Sequence, residues 1–414
     1  MIVITDKHKC CGCEACVLVC PKHCISLQQD NEGFLYPYAD KESCVECGLC
    51  QRVCPTINLR AQTLPMSVWA AQNMDKKVRR KSSSGGIATM FAESIVDKGG
   101  VIFGVVMNDN YEAVYTYAET KEQITAFCGS KYIQSRTADT FKQVRDFLNI
   151  GRKVLFIGAP CQVSGLKYYL KKNYENLFTI DFICHGVPSP GVFKWYIQDE
   201  INKYAISKGL QQKYVYSHYT KHAIPIDNIK MPDDLKFKSV QFRDKREGWK
   251  KYSFVLNFTE TMDDGKQNTC SLVTNVCQNS FMKGFCSNLY LRPSCHQCPA
   301  RSYRSGSDVT LGDFWGQEYM FPDFDNDTGV SCVIIKTEKG FKLFNSLKNI
   351  KRQEKTIEQV LAYNPSLNLS TLEPYSRTKF WKNVGKYSFE ETVNLALNLS
   401  FAEKLLLTVK KLLR

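Results

Sequence analysis

Cys10, Cys13, Cys16 and Cys20 follow the spacing C-x2-C-x2-C-x3-C with Pro21 next, and Cys44, Cys47, Cys50 and Cys54 repeat it with Pro55 next. Nothing else in the chain restricts its folding so strongly, because thiolates in this order must converge on inorganic centres. A loop of this spacing wraps three thiolates around one cubane, and the fourth, on the helix that follows, ligates the other. The expected ligand sets are therefore Cys10, Cys13, Cys16 and Cys54 for one 4Fe-4S cluster, and Cys44, Cys47, Cys50 and Cys20 for a second. Each proline ends its run by removing a backbone donor and fixing φ. Zinc also takes four thiolates, but the doubled run with both prolines favours clusters. Cys11 and Cys24 fall outside the pattern, and both are expected to be structural.

The two runs form an internal repeat of about 34 residues, and between them Cys24–Leu27 and Gly33–Pro37 read as short strands around a turn. This first stretch resembles the bacterial two-cluster ferredoxin, which makes it an electron wire. In a small secreted protein 19 cysteines would mean a disulfide scaffold. Here they are clustered on a chain of 414 residues whose start, MIVITDKHKC, has no apolar stretch ahead of its first cysteine. No secretory signal and no spanning helix are therefore expected. A globular metal-binding protein of the cytoplasm is expected instead, because clustered thiols in a reducing compartment mean metal.

After a linker around Arg60–Pro65 comes Arg79-Arg80-Lys81-Ser82-Ser83-Ser84-Gly85-Gly86, then a helix-like Ile87–Asp97 and a buried strand over Val101–Met107. Small residues at a helix N-terminus allow an anion to approach the backbone, although such a loop also serves simply as a cap and turn. Further on, Val154–Ile157 reads as a strand, and Gly158-Ala159-Pro160-Cys161-Gln162 turns into a helix over Val163–Lys172. Phe178–Ile183 is a second strand, and Cys184-His185-Gly186-Val187-Pro188 turns into another helix from about Gly191. Strand–helix–strand order makes the two strands parallel neighbours and puts Cys161 and Cys184 just past their carboxyl ends, where open α/β sheets hold ligands. The alternative is two unrelated buried thiols. Cys295 and Cys298 form a single C-x2-C, half of a zinc or cluster site; with Cys161 and Cys184 they would build a third 4Fe-4S site. The other cysteines, 11, 24, 128, 270, 277, 286 and 332, are read as packing residues, with Cys286 the nearest rival because it shares a segment with the pair.

Five motifs occur in order: Ser83-Ser84-Gly85-Gly86, Gly129-Ser130-Lys131-Tyr132-Ile133-Gln134-Ser135, Gly158–Gln162, Cys184–Ser189, and Ser307-Asp308-Val309-Thr310-Leu311-Gly312-Asp313-Phe314-Trp315-Gly316. Together they resemble the beta subunit of coenzyme F-420 hydrogenase/dehydrogenase over about residues 1–340. The resemblance implies an iron–sulfur flavoprotein that holds FAD and passes electrons between clusters and a hydride acceptor, the deazaflavin in archaeal members. It also implies that Ser84, Gly85 and Gly86 lie against the FAD pyrophosphate, and that Lys131, Tyr132 and Gln134 contact the flavin or its ribityl–phosphate chain. Cys161, Cys184, Cys295 and Cys298 would hold the cluster near the flavin. Lys131 and His185 are candidate proton or charge partners for reduced flavin, although a hydrogen-bonded loop histidine reads equally well. Relatives of this type point to surface-polysaccharide assembly as one source of the acceptor.

The segment 236–260 alternates apolar and polar residues and reads as antiparallel strands. Cys332–Lys336 reads as a strand and Gly340–Asn349 as a helix. The end, Phe401–Arg414, carries Lys404, Lys410, Lys411 and Arg414 against Glu403 on an amphipathic leucine pattern. Such a basic helix suits peripheral membrane contact, or covering the core, or dimerisation. The formal charge of +14 would also suit nucleic acid, but no recognition motif accompanies it, and no nucleic-acid partner is expected.

The expected fold is an α+β ferredoxin-like N-terminal domain (1–60), then an α/β flavin-binding domain in two parts (65–185 and 186–345) with an antiparallel β-rich insertion, then a helical C-terminal extension (346–414). The expected function is an oxidoreductase step between a ferredoxin-like donor and an organic acceptor. Its rivals are a non-catalytic electron-transfer subunit that docks on a separate enzyme, and a cluster protein without flavin.

Overall fold

The computed structural model describes residues 1–207, 235–262, 265–325 and 327–398. In the N-terminal part, β1 (Ile25–Gln29) and β2 (Leu35–Ala39) pair antiparallel, Ile25 opposite Ala39. The cysteine loops lie on either side of this hairpin, each running into a short helix, Ala15–Val19 and Leu49–Arg52. The repeat is visible in the backbone itself: Gly12 (φ 68°) and Glu14 (φ 61°) take left-handed conformations, and so do Glu46 (φ 52°) and Gly48 (φ 71°) at the matching places. Each cysteine loop is therefore wound by the same two positive-φ positions, with glycine and glutamate exchanged between the halves.

The main body is one eight-stranded sheet. It is built from β3 (Ser67–Asn73), β4 (Val101–Met107), β5 (Ala113–Ala118), β6 (Val154–Ile157) and β7 (Leu177–Phe182). A separate antiparallel sheet of three strands holds β8 (Leu235–Asp244), β9 (Ser253–Thr261) and β10 (Gln267–Asn275), and the chain then returns to the main sheet with β11 (Val309–Asp313), β12 (Ser331–Ile335) and β13 (Ile350–Lys355). The order β13-β3-β12-β11-β7-β6-β4-β5 interleaves strands from before and after residue 185. The centre is parallel, β4 to β6 to β7 to β11, and both flanks are antiparallel. Val101, Ile102, Phe103, Val154, Leu155 and Phe156 are wholly buried, as strands covered on both faces require.

Two segments differ from the sequence expectation. The stretch expected to open a helical extension instead begins with β13, which pairs with β3 along its length, Ile350 opposite Asn73. Its composition, Ile-Lys-Arg-Gln-Glu-Lys, hides it from pattern reading; charged residues on an edge strand protect an open edge from further pairing. The helices Tyr375–Asn383 and Phe389–Leu397 follow, but they belong to the core: Phe380, Phe389, Val393 and Ala396 are wholly buried in the cluster that includes Trp195, Tyr196 and Phe281. The basic stretch Phe401–Arg414 lies outside the described residues. Among the described residues no helix is long and apolar enough to cross a membrane.

The N-terminal part is seated on the main body. Cys11, Cys13 and Ala15 pack with Phe141, Phe156, Val163 and Leu166. Buried Glu14 accepts from Arg136 Nε at 2.7 Å and from the Ala138 N–H at 3.0 Å. Arg377 pairs with Glu32 from the C-terminal side.

Candidate functional site

The first expected ligand set is brought together. Burial, with Cys10 and Cys54 beside it, pushes the Cys16 thiol up, and Cys13 is a further neighbour of Cys16. The second set opens on a hollow of about 360 Å³ lined by Cys20, Cys44, Cys47 and Cys50. Cys24 lines the same hollow, its sulfur 3.4 Å from that of Cys20. Cys10, Cys13, Cys20 and Cys50 are buried, whereas Cys47 is exposed. Among the described residues no three His, Cys, Asp or Glu side chains converge as one small metal ion requires; a cubane instead takes each thiolate on a different iron.

Cys161, Cys184, Cys295 and Cys298 also share one space, a cavity of about 650 Å³. The parallel strands β6 and β7 deliver the first two. Cys161 stands in the first turn of the helix Pro160–Leu170, which starts earlier than the sequence pattern predicts because proline is favoured at a first helical position. Cys295 lies in the 3-10 turn Pro293–Gln297, and Cys298 ends it. The Val187 N–H donates to Cys295 Sγ at 3.4 Å. Burial raises the Cys184 thiol to about 11 and the Cys295 thiol to about 12, each with neighbouring thiols adding to the shift and Arg301 opposing it. As bare thiols these groups keep their protons at neutral pH, and a bound metal centre is what would displace them. The donor set fits a thiolate-held cluster.

Cys11, expected to be structural, lines this third cavity. Its thiol is an electrostatic neighbour of both Cys13 and Cys161. The signal was adjacency: consecutive residues of an extended loop face opposite ways, so a Cys10 turned toward one centre turns Cys11 outward. Cys286 is exposed and lies outside the cavity wall.

The loop Ser82–Gly86 is pressed against the sheet. Ser84 Oγ donates to the Val330 carbonyl at 2.8 Å, and the Gly85 N–H donates to Ser331 Oγ at 2.9 Å. A Cβ on Gly85 would stand 2.4 Å from the Ala71 carbonyl oxygen, so only glycine fits. Gly86 leads into the helix Ile87–Val96 without any side-chain cap. Ser130 Oγ donates to Ser83 Oγ at 2.8 Å, which sets the second motif beside the first. Lys131 directs its amine to the carbonyls of Ala126, Phe127 and Cys128 at 3.3, 2.9 and 3.0 Å, and burial lowers it to about 8. Helix N–H groups without a side-chain cap, preceded by small residues, suit a phosphate-bearing cofactor.

Tyr132 and His185 meet at Phe285, with ring centroids 4.9 and 5.2 Å from it. His185 Nε2 lies 2.7 Å from Asn288 Oδ1, and burial lowers its pKa. Gln134 is turned to the cysteine loop, where its amide donates to the Cys11 and Gly12 carbonyls at 3.2 and 3.4 Å. Two basic residues escaped sequence reading. Lys245 donates to the Arg79, Ser84 and Thr328 carbonyls at 3.1, 2.6 and 2.9 Å, so it clamps the Ser84 loop. Buried Arg243 pairs with Asp313 at 2.6 Å, and Asp313 also accepts from Trp249 Nε1 at 3.1 Å. Neither carries a motif, and only the fold brings them there.

The family model for the C terminus of the coenzyme F420 hydrogenase/dehydrogenase beta subunit matches residues 151–359, just over half of the chain. The corresponding N-terminal model matches residues 68–142, and a 4Fe-4S dicluster domain matches residues 9–58. Among solved structures, a chain from the xenon-derivatized F420-reducing NiFe hydrogenase complex of Methanosarcina barkeri is similar at 17% identity, covering 80% of this chain and 90% of that one, with a TM-score of 0.39. No curated protein matches the chain.

Proposed function

The chain belongs to the coenzyme F420 hydrogenase/dehydrogenase beta subunit family, and from that premise we propose that it is an iron–sulfur flavoprotein linking a ferredoxin-like donor to an organic hydride acceptor. It is an electron-transfer subunit of oxidoreductase type with a 4Fe-4S dicluster domain. The observation that carries the finer reading is the third cavity, where Cys11 of the dicluster loop joins Cys161, Cys184, Cys295 and Cys298 in one wall. Bound clusters would supply one-electron transfer, and a bound FAD the exchange between single electrons and hydride.

In this reading Cys10, Cys13, Cys16 and Cys54 hold the first cluster, Cys20, Cys44, Cys47 and Cys50 the second, and the four cavity cysteines a third. Ser84, Gly85 and Gly86, in the loop that Lys245 clamps through the Ser84 carbonyl, receive the FAD pyrophosphate at the uncapped helix. In the adjoining segment Tyr132 is the residue left to meet the flavin, because the Lys131 amine is taken by the carbonyls of Ala126, Phe127 and Cys128 and the Gln134 amide by those of Cys11 and Gly12. Lys131, lowered to about 8 by burial, and His185, whose pKa burial lowers and whose ring Asn288 fixes, are the candidate proton or charge partners of reduced flavin. The cytoplasm is the compartment that suits these thiols.

One observation favours the docking-subunit reading instead. Leu369 and Leu372 are 66% and 75% exposed, and they flank Ser370 and Thr371, which bond the Cys298 N–H and the His185 carbonyl. The test is anaerobic mixing with reduced ferredoxin while the flavin absorbance is followed. Bleaching that recovers on adding a deazaflavin or another organic acceptor supports the enzyme; reduced clusters beside a flavin that no small acceptor reoxidises support the docking subunit.

A further inference from the structure

Arg292 is completely buried, yet it sits in the segment that supplies Cys295 and reaches the opposite part of the molecule. Its Nε donates to the Cys10 carbonyl at 2.6 Å, Nη1 to Gln134 Oε1 at 2.8 Å, and Nη2 to the Leu35 carbonyl at 2.9 Å. Nη2 also lies 3.4 Å from Cys10 Sγ. The guanidinium stands over the Tyr36 ring at 4.2 Å. No carboxylate among the described residues forms an ion pair with it, so a full positive charge is buried against one cysteine of the first ligand set. Gly12 leaves the space: with φ at +68°, a Cβ there would stand 2.8 Å from Arg292 Nη1.

The second ligand set has a different setting. Cys47 is exposed there, and Arg52 donates to the Cys47 carbonyl at 3.1 Å from an exposed position, where water and salt screen its charge. A buried cation and a donor to a ligating sulfur both stabilise the more negative, reduced form of an iron–sulfur centre, which raises its potential.

We propose that Arg292 is a redox-positioning residue: acting through Cys10, it raises the potential of the centre held by Cys10, Cys13, Cys16 and Cys54 above that of the centre held by Cys20, Cys44, Cys47 and Cys50. An electron delivered at the exposed Cys47 side by an outside reductant then settles on the buried side, where Cys11 and Cys161 line one cavity. The inference rests on the ligand sets assigned above.

The test is EPR-monitored potentiometry of the full chain, purified anaerobically. In Arg292→Gln one dicluster signal should require a lower potential, by at least a tenfold change in its reduced-to-oxidised ratio, about 59 mV for one electron, while the other stays in place. Arg292→Lys, which keeps the charge, should recover most of the shift. Unmoved potentials in Arg292→Gln with full iron, or both signals shifting equally, would overturn the assignment. If Arg292→Gln loses iron, Cys47→Ser decides, because it marks the second centre at its exposed corner. The lower-potential signal must then be the one that changes, and a change in the higher-potential signal contradicts the proposal. Wild-type protein with fewer than two dicluster signals would instead refute the ligand assignment itself.

Discussion

A methyl group on Gly165 would stand 2.9 Å from the Cys13 sulfur and 3.0 Å from its Cβ. The helix Pro160–Leu170 therefore approaches the first cysteine loop as closely as two backbones with one intervening side chain allow. Gly165→Ala sets two effects against each other. Alanine favours the helix by about 1 kcal/mol, but the added methyl displaces Cys13 at a cost of roughly 1–3 kcal/mol. The second should win, and the variant should bind less iron in the first centre, read as selective weakening of one dicluster EPR signal.

Cys184 and Cys298 both line the third cavity. Cys184→Ser or Cys298→Ser should lower bound iron by about four per chain while both dicluster signals persist. Loss of all iron in either variant would instead place these cysteines in the folding of the whole chain.

Gly85 faces the Ala71 carbonyl at a distance that no side chain tolerates. Gly85→Val should therefore push the Ser84 loop off the sheet and weaken flavin retention at least tenfold, about 1.4 kcal/mol, with iron content unchanged. Flavin-to-protein and iron-to-protein ratios after gel filtration separate the two effects.

Burial pushes the Asp199 carboxyl up to about 6, with Lys203 opposing and Glu200 and Glu390 adding to the shift. A carboxyl whose folded pKa exceeds its free value of 3.8 binds protons more readily in the folded state. Its stabilising contribution is full below that free value and is lost as pH rises through about 6. Asp199→Asn should therefore stabilise the fold near pH 7.5 by on the order of 1–3 kcal/mol and remove this component of the slope between about pH 4 and pH 6. Denaturant melts at several pH values check both.

What pattern reading could find depended on how each element is stabilised. Val101–Met107 and Val154–Ile157 were legible because strands buried on both faces must be continuously apolar. The cysteine runs were legible because their spacing is the geometry of their ligand. By contrast, β13 and the polar β10 owe their existence to a neighbouring strand edge, which their own residues do not announce. Lys245 and Arg292 are isolated basic residues in sequence, and their meaning comes from the carbonyls and the sulfur that distant segments bring to them. Cys11 stood in plain view, but its partner Cys161 lies across the interface between the dicluster loop and the main sheet.

A dicluster wire, a third cysteine-held centre and a flavin are proposed to share one chain. Iron and flavin counted per chain on anaerobically purified protein test this proposal directly. Three cubanes and one flavin correspond to roughly 12 iron and about one FAD per chain. About 8 iron with no flavin would contradict it, leaving the dicluster domain attached to a body that holds no cofactor.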